Sequence, residues 1–211
     1  MIGSAYVFTD EELGLIDDFK ALPESKDSHK YWSHEELNSL RSNIKTHCIL
    51  EQAYRCCYCN RENRTTHGRL WDVEHIVAKS SHVRFMFEIK NLAASCADCN
   101  NFKGDTNVLK NKAVINYPIS GDRFKIIHAH FHEYSEHIQQ VGNVYWGRTD
   151  EGKFTVYNCD LLRFAKQEGG VPDHVIDADI YNLVDAIFSG NQADAEIAIH
   201  NASILIKAKK T

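Results

Sequence analysis

The spacing of apolar positions along the chain changes from a helical period to strand-like alternation and back. Near the N-terminus, Thr9 with Glu12 and Ser33 with Glu36 both fit the S/T-x-x-E capping box. In that box a hydroxyl and a carboxylate each satisfy an N–H that the first helical turn leaves orphaned. After the second box, Leu37, Leu40, Ile44, Ile49, Leu50 and Ala53 recur at roughly helical spacing. This predicts a helix of about 20 residues reaching Tyr54. Pro23 and the polar stretch 24–30 separate it from the first helix. The polar run 63–67 with Gly68 predicts a loop, residues 70–77 a strand, and residues 97–103 a short helix following a second strand. Beyond residue 115 the pattern predicts strands, with 144–148 and 154–157 flanking a hairpin turn at Asp150-Glu151-Gly152. Residues 178–188 and 193–207 read as helices. The fold class expected is α+β, with a helical segment over 1–54, a cysteine-rich core over 55–112 and a mixed strand and helix extension over 113–211.

Composition narrows the class. No run of 18 apolar residues occurs, so no transmembrane helix is expected. Residues 1–10 lack a basic start followed by an apolar stretch, which argues against a secretory signal. A cytoplasmic protein without a membrane partner is the simplest expectation. The net charge of −5 is unsuited to a polyanion, but residues 55–112 hold ten Lys or Arg against six Asp or Glu. That island carries +4 and the remainder −9. The asymmetry predicts a local nucleic-acid footprint, with an outside partner helping to deliver the substrate.

The seven cysteines include two tight pairs, Cys56-x-x-Cys59 and Cys96-x-x-Cys99, with 36 residues between them. Two residues between thiolates let both sulfurs reach one ion from a tight turn, and four soft thiolates make a closed tetrahedral site suited to structural Zn2+. A redox dithiol would need a thioredoxin-like βαβ surround, which neither pair has. Cys57 could replace Cys56 only by distorting its knuckle. Cys48, Cys57 and Cys159 are expected to be buried thiols. A zinc staple would pin both ends of the intervening loop and position whatever chemistry it holds.

That loop contains Asp72-Val73-Glu74-His75-Ile76-Val77, then Asn91-Leu92, and Asn100, Lys103 and Gly104 follow the second pair. A carboxylate with an Asn carbonyl suits Mg2+ or Mn2+ that keeps several waters. A neutral histidine can take a proton from an attacking water. On a strand, Glu74 and His75 would point to opposite faces unless the chain bends there.

From Cys56 to Asp105 these motifs together resemble the HNH nuclease family, which implies a ββα-metal core and phosphodiester hydrolysis. On that resemblance His75 is the general base, Glu74 a metal ligand where the family usually has Asp, and Asn91 the residue that holds the loop and orients His75. Asn100 takes the place of the family's final His as second metal ligand, and Lys103 would contact a phosphate. Ala78 stands where many relatives have Pro. Arg61, Arg64, Arg69, Lys79 and Arg84 are candidates to grip the backbone with little sequence information. The resemblance further implies a DNA endonuclease acting as a bacterial defence or restriction-type effector, in some systems beside an ATPase partner. An RNA-cleaving enzyme and a catalytically silent zinc-stabilised binding module stay open. His128, His130 and His132 would share one face if they lay on a strand, which could bind a second metal or serve as polar packing.

Overall fold

The computed structural model describes residues 2–165, apart from 24, 26, 66–69 and 142. The helices expected over 178–188 and 193–207 lie outside these described residues, as does Arg69. Helix α1 (Asp10–Ala21) starts at the first capping box: the Glu12 N–H donates to Thr9 Oγ1 at 3.3 Å and the Thr9 N–H to Glu12 Oε2 at 3.0 Å. The second box is not used. Ser33 closes a 3-10 turn (Ser28–Ser33), His34 is extended, a second 3-10 turn covers Glu35–Leu37, and α2 (Asn38–Glu51) begins only then. Tertiary burial overrides the local signal here. Tyr31 and Trp32 are buried side by side, and the guanidinium of Arg41 takes up the Trp32 carbonyl and shares the His34 carbonyl with the Leu37 N–H.

Helix α2 buries Leu40, Ile44, Cys48 and Ile49, and burial pushes the Cys48 thiol up to about 12, so it stays protonated. The helix ends three residues before Tyr54, because Ala53 and Tyr54 take left-handed backbone at φ 49° and 59°. There the Tyr54 N–H returns to Ile49 O at 2.8 Å. The Gln52 side chain then acts as a short length of strand: its Nε2 donates to Ala94 O and its Oε1 accepts the Ala94 N–H, both at 2.7 Å. This clamp fixes the helix end to the sheet that follows.

Strands β1 (Trp71–His75) and β2 (Leu92–Cys96) pair antiparallel, with Trp71 opposite Cys96, Asp72 opposite Ser95, Glu74 opposite Ala93 and His75 opposite Leu92. Ala93, Ala94 and Ser95 are fully buried, and their small side chains allow close approach by neighbouring elements. Helix α3 (Ala97–Lys103) follows β2 without a loop and ends at Gly104, whose φ of 47° suits glycine. Two strands and a helix in this order make the expected ββα unit.

The C-terminal expectation is corrected. After α4 (Tyr134–His137), strands β3 (Ile138–Val141) and β4 (Val144–Gly147) form the second two-stranded sheet, but residues 150–158 are helix α5 (Asp150–Asn158), not a turn and strand. Thr149 caps it by accepting the Gly152 N–H at 3.1 Å. A Cβ on Gly152 would lie 2.0 Å from His137 O, so glycine here permits close packing rather than a hairpin turn. The described chain divides into two units, one of residues 2–138 with 147–161 and one of residues 139–146 with 162–165. In the second, the Tyr145 and Phe164 rings lie 5.4 Å apart. Everything described below belongs to the first.

Candidate metal centres and active site

The sequence between Arg55 and Glu62 folds back on itself as an isolated antiparallel bridge. At its tip, Asn60 is left-handed (φ 54°) and its N–H closes on Cys56 O at 2.9 Å. This turn holds Cys56 and Cys59 on one side. Cys96 stands at the N-cap of α3 and Cys99 one turn later. The four sulfurs all lie within 4.8 Å of one another, and three of the four residues are buried. A tetrahedral zinc with 2.3 Å bonds needs sulfurs about 3.8 Å apart, so this set fits the ion with minor contraction. The Cys96 N–H points at Cys56 Sγ at 3.3 Å, which favours a thiolate there. Among the described residues no other group of three or more His, Cys, Asp or Glu could hold a metal.

The knuckles bracket β1, and adjacent residues on that strand leave by opposite faces. On one face, Glu74 is 1% exposed. Its Oε1 accepts the Tyr58 hydroxyl at 2.9 Å and lies 2.5 Å from Lys103 Nζ. Burial pushes the Glu74 carboxyl up, and the Lys103 ammonium and Tyr58 hydroxyl draw it back. Lys103, expected at a phosphate, is instead 2% exposed: its ammonium is consumed by Glu74 and by His75 O at 2.7 Å. Two residues earlier on the same face, Asp72 is half-buried and its Oδ2 accepts Asn100 Nδ2 at 2.8 Å.

On the other face, His75 is 5% exposed and packs edge-on against Trp32 at 4.5 Å. Its Nε2 lies 3.0 Å from Met86 O. A carbonyl can only accept, so Nε2 carries the proton and the lone pair sits on Nδ1. Burial, with the ammoniums of Lys79 and Lys103 adding to it, pushes the His75 pKa down to about 3. The ring is therefore neutral at physiological pH. Asn91 is fully buried and clamps the loop between β1 and β2. Its Oδ1 accepts the Val77 N–H at 2.7 Å, and its Nδ2 donates to Val77 O at 3.0 Å and Phe85 O at 2.9 Å. The Ile76 N–H returns to Asn91 O at 2.9 Å. These bonds carry the chain directly past His75 and set the carbonyl of Met86 beside its ring.

Residues 56–106 match the family model of the HNH endonucleases. This segment is similar to an HNH domain. A comparison with curated proteins gives no match. The segment brings the four cysteines together, sets Asn91 against the loop that follows His75 and places Asn100 against Asp72. Its family uses a divalent metal on nucleic acid.

The basic candidates are dispersed. Arg84 is exposed, Lys79 half-buried, Arg61 half-buried, and Arg64 is exposed beside Glu62 as an ion pair. Lys79 and Arg84 belong to the loop that runs on from His75. Arg84 also borders a cavity of 520 Å3 lined by His29, Ser80, Ser81 and His82 among others. The histidine cluster is a turn, not a strand: the His132 N–H returns to His128 O at 3.0 Å. His128 Nδ1 accepts the His130 N–H and its Nε2 meets the Tyr117 hydroxyl at 2.8 Å, while His132 Nδ1 accepts the His128 N–H. The rings serve as internal polar packing. No helix of the described residues is long and apolar enough to cross a membrane.

Sequence reasoning missed Tyr58, Trp32 and the Met86 carbonyl. Tyr58 left a signal, being an aromatic inside a knuckle where a polar residue would do. Trp32 and Met86 left none, since both reach His75 only through the tertiary fold.

Proposed function

We propose that the chain is a metal-dependent endonuclease that hydrolyses phosphodiester bonds in DNA, with His75 as its general base. The observation that carries this is the Nε2–H bond from His75 to Met86 O, within a segment that matches the HNH family. It fixes one tautomer and presents Nδ1 as the acceptor for a water proton. A negative phosphodiester brought beside the ring raises its basicity, offsetting the burial that now depresses it. Asn91 holds the loop so that the Met86 carbonyl and the ring stay aligned. A divalent Mg2+ or Mn2+ held by a β1 carboxylate and Asn100 supplies charge for the phosphate and its leaving oxygen. The resemblance to the HNH family implies Glu74 as that carboxylate. Zn2+ on Cys56, Cys59, Cys96 and Cys99 is structural, since four thiolates leave no open position.

Lys79 and Arg84, on the loop leaving His75, and Arg61 and Arg64 near the first knuckle, grip the backbone. The hydroxyls and imidazoles of the neighbouring cavity suit phosphate oxygens. The −9 outside the basic island supports delivery by a partner, which we propose to be an ATPase in a bacterial defence or restriction-type system. The test is cleavage of matched DNA and RNA of one sequence by zinc-loaded protein. Preferential DNA cleavage supports the reading. RNA cleavage alone would reassign the substrate, and binding without cleavage of either would leave a silent module.

A further inference from the structure

We infer that the carboxylate which holds the divalent cation in this chain is Asp72, with Asn100, and that Glu74 instead anchors a buried strut between the two zinc knuckles. The inference rests on the nuclease reading above for the use of the cation, but not for its existence. Glu74 is poorly suited to a cation. Its Oε1 is taken by both Tyr58 and Lys103, and all three side chains are at least 98% buried. A magnesium bonded to that oxygen at about 2.1 Å would lie within about 4.6 Å of the Lys103 nitrogen, two like charges with no water between them. What the trio does well is mechanical. Tyr58 comes from the first knuckle and Lys103 from the helix of the second, and both meet on Glu74 while Lys103 also holds His75 O. The strut ties both knuckles to the strand that carries the base.

Asp72 has the properties that Glu74 lacks. It is half-buried, so a cation there can keep waters, and no Lys or Arg among the described residues pairs with it. Asn100 Nδ2 lies 2.8 Å from its Oδ2. Turning the Asn100 amide by half a revolution puts a carbonyl oxygen at that spacing. Two ligands about 3 Å apart span one edge of an octahedron with 2.1 Å bonds. A separate observation points to the same place. Ser95 faces Asp72 across the ladder, and directly opposed residues share a face of the sheet. Its hydroxyl is fully buried and has no hydrogen-bond partner among the described residues. A buried hydroxyl without a partner is costly. A water on a cation at Asp72 and Asn100 would donate to its oxygen.

The test is Mn2+ binding to the zinc-loaded full chain, read by the electron paramagnetic resonance signal of free Mn2+. Asp72→Asn and Asn100→Leu are expected to weaken binding at least about ten-fold with zinc content and circular dichroism unchanged, and Ser95→Ala to weaken it less. Because Glu74→Gln alone leaves Lys103 buried without its partner, it is paired with Lys103→Met. That double variant is expected to bind Mn2+ within about two-fold of wild type. Wild-type Mn2+ affinity in Asp72→Asn, loss of Mn2+ in a folded Glu74→Gln/Lys103→Met chain, or no Mn2+ on wild type would each overturn the inference. Its failure is distinct from that of the nuclease reading. Cleavage by wild type that survives in Asp72→Asn removes this site and keeps the nuclease. Asp72-dependent Mn2+ binding on a chain that cuts nothing keeps the site and removes the nuclease.

Discussion

Replacing Asn91 with Ala should be among the most damaging single changes in the segment that matches the HNH family. The side chain is fully buried and makes three hydrogen bonds of 2.7 to 3.0 Å, all to main chain. Truncation strands the Val77 N–H and the Val77 carbonyl, and leaves the Phe85 carbonyl with the Glu88 N–H alone at 3.2 Å. Each orphaned buried group costs about 1–3 kcal/mol, less where a water enters the space left behind. At about 2 kcal/mol for each of the two orphaned groups, a loss of about 4 kcal/mol results, a large share of the roughly 5–15 kcal/mol that holds a domain folded. In urea, with a slope of about 2.5 kcal/mol per molar, the midpoint should fall by about 1.6 M. The assay is urea unfolding of zinc-loaded wild type and variant, followed by circular dichroism. Asn100→Ala is the control: it loses one bond at a half-buried site and should cost about 1 kcal/mol or less. A midpoint for Asn91→Ala equal to that of the control would refute the clamp and, with it, the account of how Met86 is set beside His75.

Three further outcomes follow from the same geometry. Removing zinc with a chelator, or making Cys99→Ser, should unfold the β1 to α3 unit, seen as loss of tryptophan signal from buried Trp71; an unchanged spectrum would contradict the staple. Lys103→Met should destabilise by about 3–5 kcal/mol because Glu74 is left charged and unpaired, and Glu74→Gln in the same chain should restore most of it, measured as a double-mutant cycle. Burial holds the folded pKa values of His75 and His128 below 6.5, so the unfolded chain takes up protons first. Stability present above pH 6.5 is then lost as pH falls toward the folded values, by up to about 1.4 kcal/mol per pH unit for each ring. His128→Gln should show a shallower fall than wild type between pH 7 and 5, and equal slopes would contradict the burial argument.

The sequence made the HNH core legible because its constraints are local and chemical. Two Cys-x2-Cys knuckles together supply the four ligands of one tetrahedral site, so their pairing required no knowledge of the fold. The strand before His75 and the helix after Cys96 followed from the turn residues and polarity around them, and Asn91 was legible as the residue that holds the loop. Beyond these motifs, legibility failed where packing decides. Ser33 and Glu36 spell a capping box, yet burial of Tyr31 and Trp32 moves the helix start to Asn38. Asp150-Glu151-Gly152 spells a turn, yet Thr149 caps a helix and the glycine is needed for contact with His137 O. Lys103 looked like a surface cation because a lysine's charge rarely enters a core. Only the fold shows Glu74 and Tyr58 waiting for it. The alternating histidines read as a strand face because a period of two is ambiguous in so short a run, and a tight turn at His128 resolves it.

The central claim is that this HNH domain cuts DNA with His75 as base, and nicking of supercoiled plasmid tests it most directly. Zinc-loaded protein is incubated with Mg2+ or Mn2+, beside His75→Ala and beside wild type in chelator for the divalent ion. The account predicts conversion to nicked or linear plasmid by wild type alone, with the variant folded and inert. Equal cleavage by wild type and His75→Ala would contradict it, since the proton from the attacking water would then be going elsewhere.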